Sequence, residues 1–368
     1  MQRESFTDWL DRHAGRVFLF PAILLVLAFS IFPLIISAWL AMSRFQLSAN
    51  GYDITFVGLN NFKKLIFGTQ QFHLVGTFAP VPVLGWVILG LVILTVVWAA
   101  FNYVLSGQMT ILGTLGRIIS FGLALLVGFM VAFTIGDKAQ IGSLSTTLFY
   151  VVAGVFLQFL IGTGLAWLCA QRIKGRDFFR VVFFVPMMVT PVGVAYMFRM
   201  LADMNQGPIS PIWRLLGLGQ FSWATNAWSA KTMVVVGDVW QWVPFIFIVM
   251  LAAFESQARD EIEAAELDGA SPWQIFRDIT WPSVAPVAAT IVLIRTIEAF
   301  KIIDLPNVLT NGGPGIATES LTLHSFIDWR TLSLGSSAAV AYILLFVSTV
   351  ACVSFFNFVV APMRAGRA

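Results

Sequence analysis

Ionisable side chains stand inside two of the most apolar stretches of this chain. In "IVLIRTIEAFKIIDLP" (291–306), Arg295, Glu298 and Lys301 follow one another at intervals of three residues. Upstream, "GDVWQWVPF" (237–245) places Asp238, Gln241, Trp242 and Phe245 on one helical face by their spacing. Together the two stretches offer carboxylates, an amide, a guanidinium and indole rings. Such a mixture suits a polyol: polar groups take the hydroxyls, and aromatic faces take the C–H side of a ring. The same residues also admit a purely structural account. In that account Arg295 meets Glu298, Glu298 meets Lys301, or Asp238 is paired across helices. Three histidines, His13, His73 and His324, are scattered in or near expected loops. No nucleophile–base pair or metal cluster is read among them, so catalytic, cofactor and metal sites are all expected to be absent.

The elements that must position these residues follow from composition. The chain has 368 residues, of which 58% are hydrophobic and 11% charged, and a mean hydropathy of +0.84. A soluble domain averages about 25% charged residues. Apolar runs longer than about 18 residues, each able to cross a bilayer as a helix, recur at 17–42, 81–105, 112–135, 144–170, 181–198, 232–254, 284–305 and 336–360. The expected fold class is therefore an all-α polytopic membrane protein with about eight transmembrane helices. The first run is read as an uncleaved span, being long and without a small-residue cleavage site. Cys169 and Cys352 lie inside apolar runs and read as small core residues. The net charge of +3 is spread over loops and does not suggest nucleic acid. Placing the N-terminus inside leaves eleven Lys or Arg residues in inner segments and seven in outer ones, which favours both termini in the cytoplasm.

With that topology "EIEAAELDGASPWQIFRDITWP" (261–282) faces the cytoplasm. Its first half is Ala- and Glu-rich, a good helix former, and Gly269 supplies a stop. Ser271 reads as an N-cap, with Pro272 at the first helical position and Gln274 completing a capping box. Two short helices bent at Gly269 are expected, the second ended by Pro282. One presents Ala258, Ile262 and Ala265, and the other Trp273, Phe276 and Ile279. Such a pair is either a knob for a partner's groove or a solvated connector resting on its own bundle.

Glu263, Ala264 and Ala265, then Gly269, then Ile279 and Pro282 at their spacing resemble the "EAA" loop of permease subunits of binding-protein-dependent ATP-binding-cassette importers, with Trp281 where Leu is usual. "FVGLNNFKKLI" (56–66), "SLSTTLFYVVAGVFLQFLIGTGLAWL" (143–168) and "LTNGGPGIATESL" (309–321) are similar to segments of the maltose-transporter type within that family. The resemblance covers 17–66 and 143–361. It implies a type I importer transmembrane domain, two such domains and two ATPases per transporter, and a bacterial inner-membrane location. It divides the chain into a cytoplasmic segment 1–16, a first helix with an external segment 17–79, an inserted helical hairpin 80–143, a core 144–361 with the cytoplasmic loop 255–283, and a tail 362–368.

Distance from the motif carries the family's substrate contacts onto Asp238, Gln241, Trp242, Phe245, Arg295, Glu298 and Ile302, and its ATPase contacts onto Glu263, Ala264, Ala265, Gly269, Trp273 and Phe276. The chain has no Walker A motif and no Gly-Lys dipeptide, so it holds no cofactor itself. ATP and Mg are expected on a partner ATPase dimer. The other implied partners are a second permease, an external solute-binding protein, membrane lipid and a sugar, with an α-glucoside or other oligosaccharide expected. The rival reading is a secondary transporter that uses Asp238, Arg295 and Glu298 for ion coupling. That reading gives the EAA segment no work.

Overall fold

The computed structural model describes residues 18–48, 51–77, 81–105, 107, 111–134, 141–171, 175–217 and 222–360. The expected terminal segments 1–16 and 362–368, and His13 with them, lie outside these.

Helix α1 (Phe18–Ala41) leads into an antiparallel hairpin, β1 (Ser43–Ser48) and β2 (Gly51–Phe56), in which Ser43 pairs with Phe56 and Ser48 with Gly51. Two short helices follow, α2 (Asn60–Phe67) and α3 (Gln71–Leu74). Next come α4 (Val83–Leu105), α5 (Ile111–Thr134) and α6 (Ser143–Ala170). A bent pair, α7 (Arg176–Met188) and α8 (Pro191–Ala202), is followed by the short α9 (Ser210–Leu215) and the long α10 (Ala227–Glu255). Then come α11 (Arg259–Leu267), α12 (Pro272–Ala299), α13 (Asp304–Thr310), α14 (Leu321–Arg330) and α15 (Leu334–Phe355).

Among the described residues six helices are long and apolar enough to cross a membrane, or seven with the bent pair taken as one span. Helix α5 stands at the place of the third expected span. The β-hairpin was not expected, and it is short and lies outside the spans. Its strands alternate Phe45 and Tyr52 with polar residues, and those two rings stack at 6.0 Å.

Helices α6 and α10 pack along most of their lengths and form the centre of the bundle, with α12 against both. Lipid is as apolar as these side chains, so close van der Waals fit and interhelical hydrogen bonds must hold them together. Small residues make that fit possible. A Cβ on Gly162 of α6 would lie 2.9 Å from the Cβ of Ile246 on α10. Ala166, Ile246, Phe247 and Met250 fill the seam below it. Helix α1 is exposed along nearly its whole length within this chain.

The span expected at 181–198 is not one helix. It breaks between Met188 and Pro191 and turns through 98°. Pro191 disfavours helical geometry at the residue before it, and Thr190 is extended, with φ −64° and ψ 146°. The Thr190 hydroxyl then caps α8 by accepting the Gly193 N–H, so the break restarts a helix at little cost. Pro282 has the opposite outcome. It was expected to end the second loop helix, but residues 272–299 form one continuous helix. The turn Phe276–Thr280 widens to a π-helix just before Pro282, and this relieves the clash a proline makes with the carbonyl four residues back.

Candidate functional site

Three adjacent helices bring one polar side chain each to a common point in the bundle. Arg295 of α12 donates from Nη2 to Asp238 Oδ2 of α10 at 2.6 Å and from Nε to Gln158 Oε1 of α6 at 2.7 Å. Gln158 Nε2 closes the ring by donating to Asp238 Oδ2 at 2.8 Å and to the Asp238 carbonyl at 3.1 Å. Exposure of the three is 1% for Arg295, 5% for Asp238 and 0% for Gln158. Charges at such depth survive only when paired and fully hydrogen-bonded, and the amide supplies what the ion pair alone lacks.

Gln158 was not among the expected site residues. Its signal was present in the sequence, a lone amide midway along an apolar run of 28 residues. Such a group needs a partner within the protein, but nothing local says which one.

The other expected substrate residues reach different neighbours. Trp242 lies half-buried beneath the Arg295 guanidinium, 4.7 Å from ring centroid to Cζ, and meets Phe245 edge-on at 6.1 Å. Gln241 turns toward the broken span, donating to the Val189 carbonyl at 3.3 Å. It thereby satisfies a carbonyl that the break leaves free. Glu298 pairs with Lys301 at 2.7 Å, and both side chains are partly exposed. Among the described residues no ion pair joins Arg295 to Glu298. Ile302 is half-buried, and its carbonyl accepts from Ser320 Oγ at 2.6 Å. The ladder account is thus realised in part: Asp238 is paired across helices and Glu298 pairs with Lys301, while the first rung is replaced by Gln158.

At the far end of α10 the chain leaves the bundle. Helix α11 contains no buried residue. Asp260, Glu261, Glu263 and Glu266 project from it, and among the described residues Glu263 has neither ion pair nor side-chain hydrogen bond. Ala264 is exposed and Ala265 half-buried. Gly269 takes φ +82°, a backbone that glycine adopts without strain. Its N–H meets the Glu266 carbonyl at 3.1 Å while that of Ala270 meets Ala265 at 3.0 Å, closing the end of α11.

Ser271 and Gln274 form the expected capping box: the Ser271 hydroxyl accepts from the Gln274 N–H, and the Gln274 side chain accepts from the Ser271 N–H at 2.8 Å. Beyond the bend Trp273 is 66% exposed and stacks on Phe276 at 5.7 Å. Phe276 in turn touches Trp167 of α6 at 5.7 Å and Trp281 of α12 at 6.2 Å. The aromatic row therefore anchors the first turns of α12, just beyond the bend, to the base of α6; these are the helices that carry Arg295 and Gln158.

The chain is similar to known membrane transport proteins. Residues 162–365 match a family model described as the binding-protein-dependent transport system inner membrane component. The chain is similar to the trehalose/maltose transport system permease protein MalF of Thermococcus litoralis, with 31% identity over 60% of this chain and 72% of that protein. It is also similar to the sn-glycerol-3-phosphate transport system permease protein UgpA of Escherichia coli O157:H7, with 30% identity over 62% of this chain and 78% of the other. Among solved structures, a bacterial ABC transporter involved in import of the acidic polysaccharide alginate has a chain of the same fold, with a TM-score of 0.64 and 16% identity over 95% of this chain and 96% of that one.

Proposed function

This chain belongs to the family of binding-protein-dependent transport system inner membrane components, and from that premise we propose how it works. It is a multi-pass permease subunit of a sugar ABC importer, a transport subunit rather than an enzyme. We assign its solute to the α-glucosides or other oligosaccharides and its place to the bacterial inner membrane. A second permease completes the translocation path, an external binding protein delivers the sugar, and a separate ATPase dimer binds ATP and Mg. Residues 80–143 are assigned as an inserted hairpin beside a core of 144–361.

The observation that carries the coupling assignment is the contrast at α11. This helix is charged, without a buried residue and followed by a bend at a left-handed glycine, yet the turn just beyond the bend is anchored to α6 through Phe276. A connector needs neither the bend nor the anchor. We assign Glu263, Ala264, Ala265, Gly269, Trp273 and Phe276 to the ATPase contact. Nucleotide-driven movement of the ATPases then reaches α6 and α12 through the aromatic row.

Solute contact is assigned to the half-exposed Trp242, Phe245, Glu298 and Ile302, with Gln241 at the broken span. Asp238 and Arg295 hold the wall behind them and set the indole of Trp242. The deciding measurement is uptake together with ATPase pull-down in Glu263→Lys. Coupling through this loop requires that both fall while the chain still inserts and assembles with the second permease. Full uptake and normal ATPase association would make the segment a connector only. Uptake that ignores ATP depletion but stops when the proton gradient collapses would favour the secondary transporter.

A further inference from the structure

Two of the three histidines that look isolated in the sequence meet in the fold. His73, on the single turn α3, stacks its ring on that of His324 of α14, with centroids 3.8 Å apart and planes at 24°. Glu319, in the loop that enters α14, joins them. Its Oε1 lies 2.7 Å from His73 Nε2 and 3.8 Å from His324 Nδ1. Asp328, one turn further along α14, places Oδ2 3.9 Å from His324 Nε2. Ser143, the first residue of α6, reaches His324 Nδ1 at 3.0 Å. His324 and Glu319 are buried, at 0% and 3% exposure.

Buried polar atoms in folded proteins nearly always have hydrogen-bond partners. Among the described residues seven buried side-chain nitrogen or oxygen atoms have none, and four of the seven belong to this cluster: His73 Nε2, Glu319 Oε1, His324 Nε2 and Asp328 Oδ2. His73 Nε2 and Glu319 Oε1 are close, yet they do not meet at the angles of a hydrogen bond. Ring nitrogens and carboxylate oxygens gathered without hydrogen-bond partners are what a cation takes. One nitrogen from each ring and one carboxylate oxygen lie within 4.8 Å of one another. Tetrahedral zinc ligands at about 2.1 Å lie about 3.4 Å apart, so the set closes on an ion by an inward movement of about 1 Å.

The stacked rings cannot both point at one ion as they stand, so the His73 ring must turn. Its side chain is 21% exposed and stands on a four-residue helix, whereas His324 and Glu319 are buried.

We propose that His73, Glu319 and His324 form a site for a divalent transition-metal ion of the zinc type, with Asp328 orienting His324 through its second ring nitrogen. Two imidazoles and one carboxylate are the ligand set that borderline metals such as zinc accept, with a fourth position left for water. A carboxylate on the far nitrogen of a ligating histidine fixes the ring and raises its basicity. The ion would clip α3 to α14 and the loop that enters it, joining segments about 250 residues apart on the face opposite α11. This assignment is independent of the coupling reading above.

The test uses the full chain assembled with its partner subunits, stripped by chelator and then titrated with Zn²⁺ by calorimetry and with Co²⁺ by visible absorption. One Zn²⁺ per chain is expected, with a Co²⁺ spectrum of a low-coordinate nitrogen–oxygen site. His73→Ala and Glu319→Gln should abolish both, and Asp328→Asn should weaken Zn²⁺ about tenfold to a hundredfold. His73 is partly exposed, so His73→Ala decides the matter even if Glu319→Gln fails to fold. Equal Zn²⁺ binding and equal Co²⁺ spectra in wild type and His73→Ala, or no binding in either, would overturn the site.

Discussion

Two charged regions of this protein, one around Asp238 and Arg295 and one on α11, both carry carboxylates and come out opposite. Around Asp238 and Arg295 every charge is consumed by another helix, through 2.6–2.8 Å hydrogen bonds that include the amide of Gln158. On α11 four carboxylates face outward, with no residue of the helix buried. Depth is the cause. Within the bundle an unpaired charge is too costly to persist, so evolution of the site can only pair it or remove it. In water an unpaired carboxylate costs nothing, and it stays available to another chain. The buried cluster therefore speaks about how the helices are held, and the exposed one about what the subunit meets.

Breaking the buried cluster should give the largest effect. Arg295→Ala leaves Asp238 buried and unpaired, which costs about 3–5 kcal/mol. The expected result is loss of the assembled subunit from membranes, read by detergent-resistant complex on native gels. Replacing Asp238 and Arg295 together by apolar residues of similar volume should restore most of the assembly, because the uncompensated charge is gone. A double variant no better than Arg295→Ala would show that the pair acts through more than mutual neutralisation.

Breaking the exposed cluster should leave assembly intact and remove transport. Gly269→Pro cannot adopt φ +82° and deletes the N–H that closes α11. Uptake is expected to vanish while the amount of inserted chain changes little. Gly269→Ala meets no neighbour within 4 Å, so only the left-handed strain remains, about 1 kcal/mol, and partial uptake should survive. The difference between the two variants separates the angle of the bend from the mere presence of glycine.

Glu298 lies between the two regimes, partly exposed and, among the described residues, ion-paired with Lys301. Glu298→Gln should change stability by less than about 1 kcal/mol. If its carboxylate touches the sugar, the half-saturating concentration for uptake should rise by the loss of a charged hydrogen bond, about 1.5–3 kcal/mol or roughly tenfold and more. An unchanged uptake curve would return Glu298 to the structural account. The smallest effect belongs to Ser271→Ala, which removes one half of the capping box at a cost of about 1 kcal/mol. It should lower ATPase stimulation modestly, measured with loaded binding protein, without touching solute affinity.

Much of this architecture was written locally. Hydropathy over some twenty residues marks a span whatever its neighbours are, because transfer to lipid is a property of the segment. Ser271, Pro272 and Gln274 announced the restart after the bend, and Gly269 announced the bend, because caps and left-handed turns are satisfied within one helical turn. The break at Thr190–Pro191 had the same kind of signal, a capping threonine before a proline, but the apolar run around it concealed the stop. Pro282 shows the limit of such rules, since a widened turn before it kept the helix going.

Partnership was decided only by tertiary structure. Asp238 and Arg295 were visible as charges in apolar runs, but that Arg295 turns to Gln158 rather than to Glu298 depends on how far α6 slides along α10. That register is set by where small residues such as Gly162 allow close approach. His73 and His324 are an extreme case, in a single turn and a ten-residue helix that share no local pattern. Hydropathy, caps and turn residues act over one or two turns of chain. The meeting of side chains from distant helices is fixed by packing of whole surfaces, and no short stretch of sequence contains both surfaces.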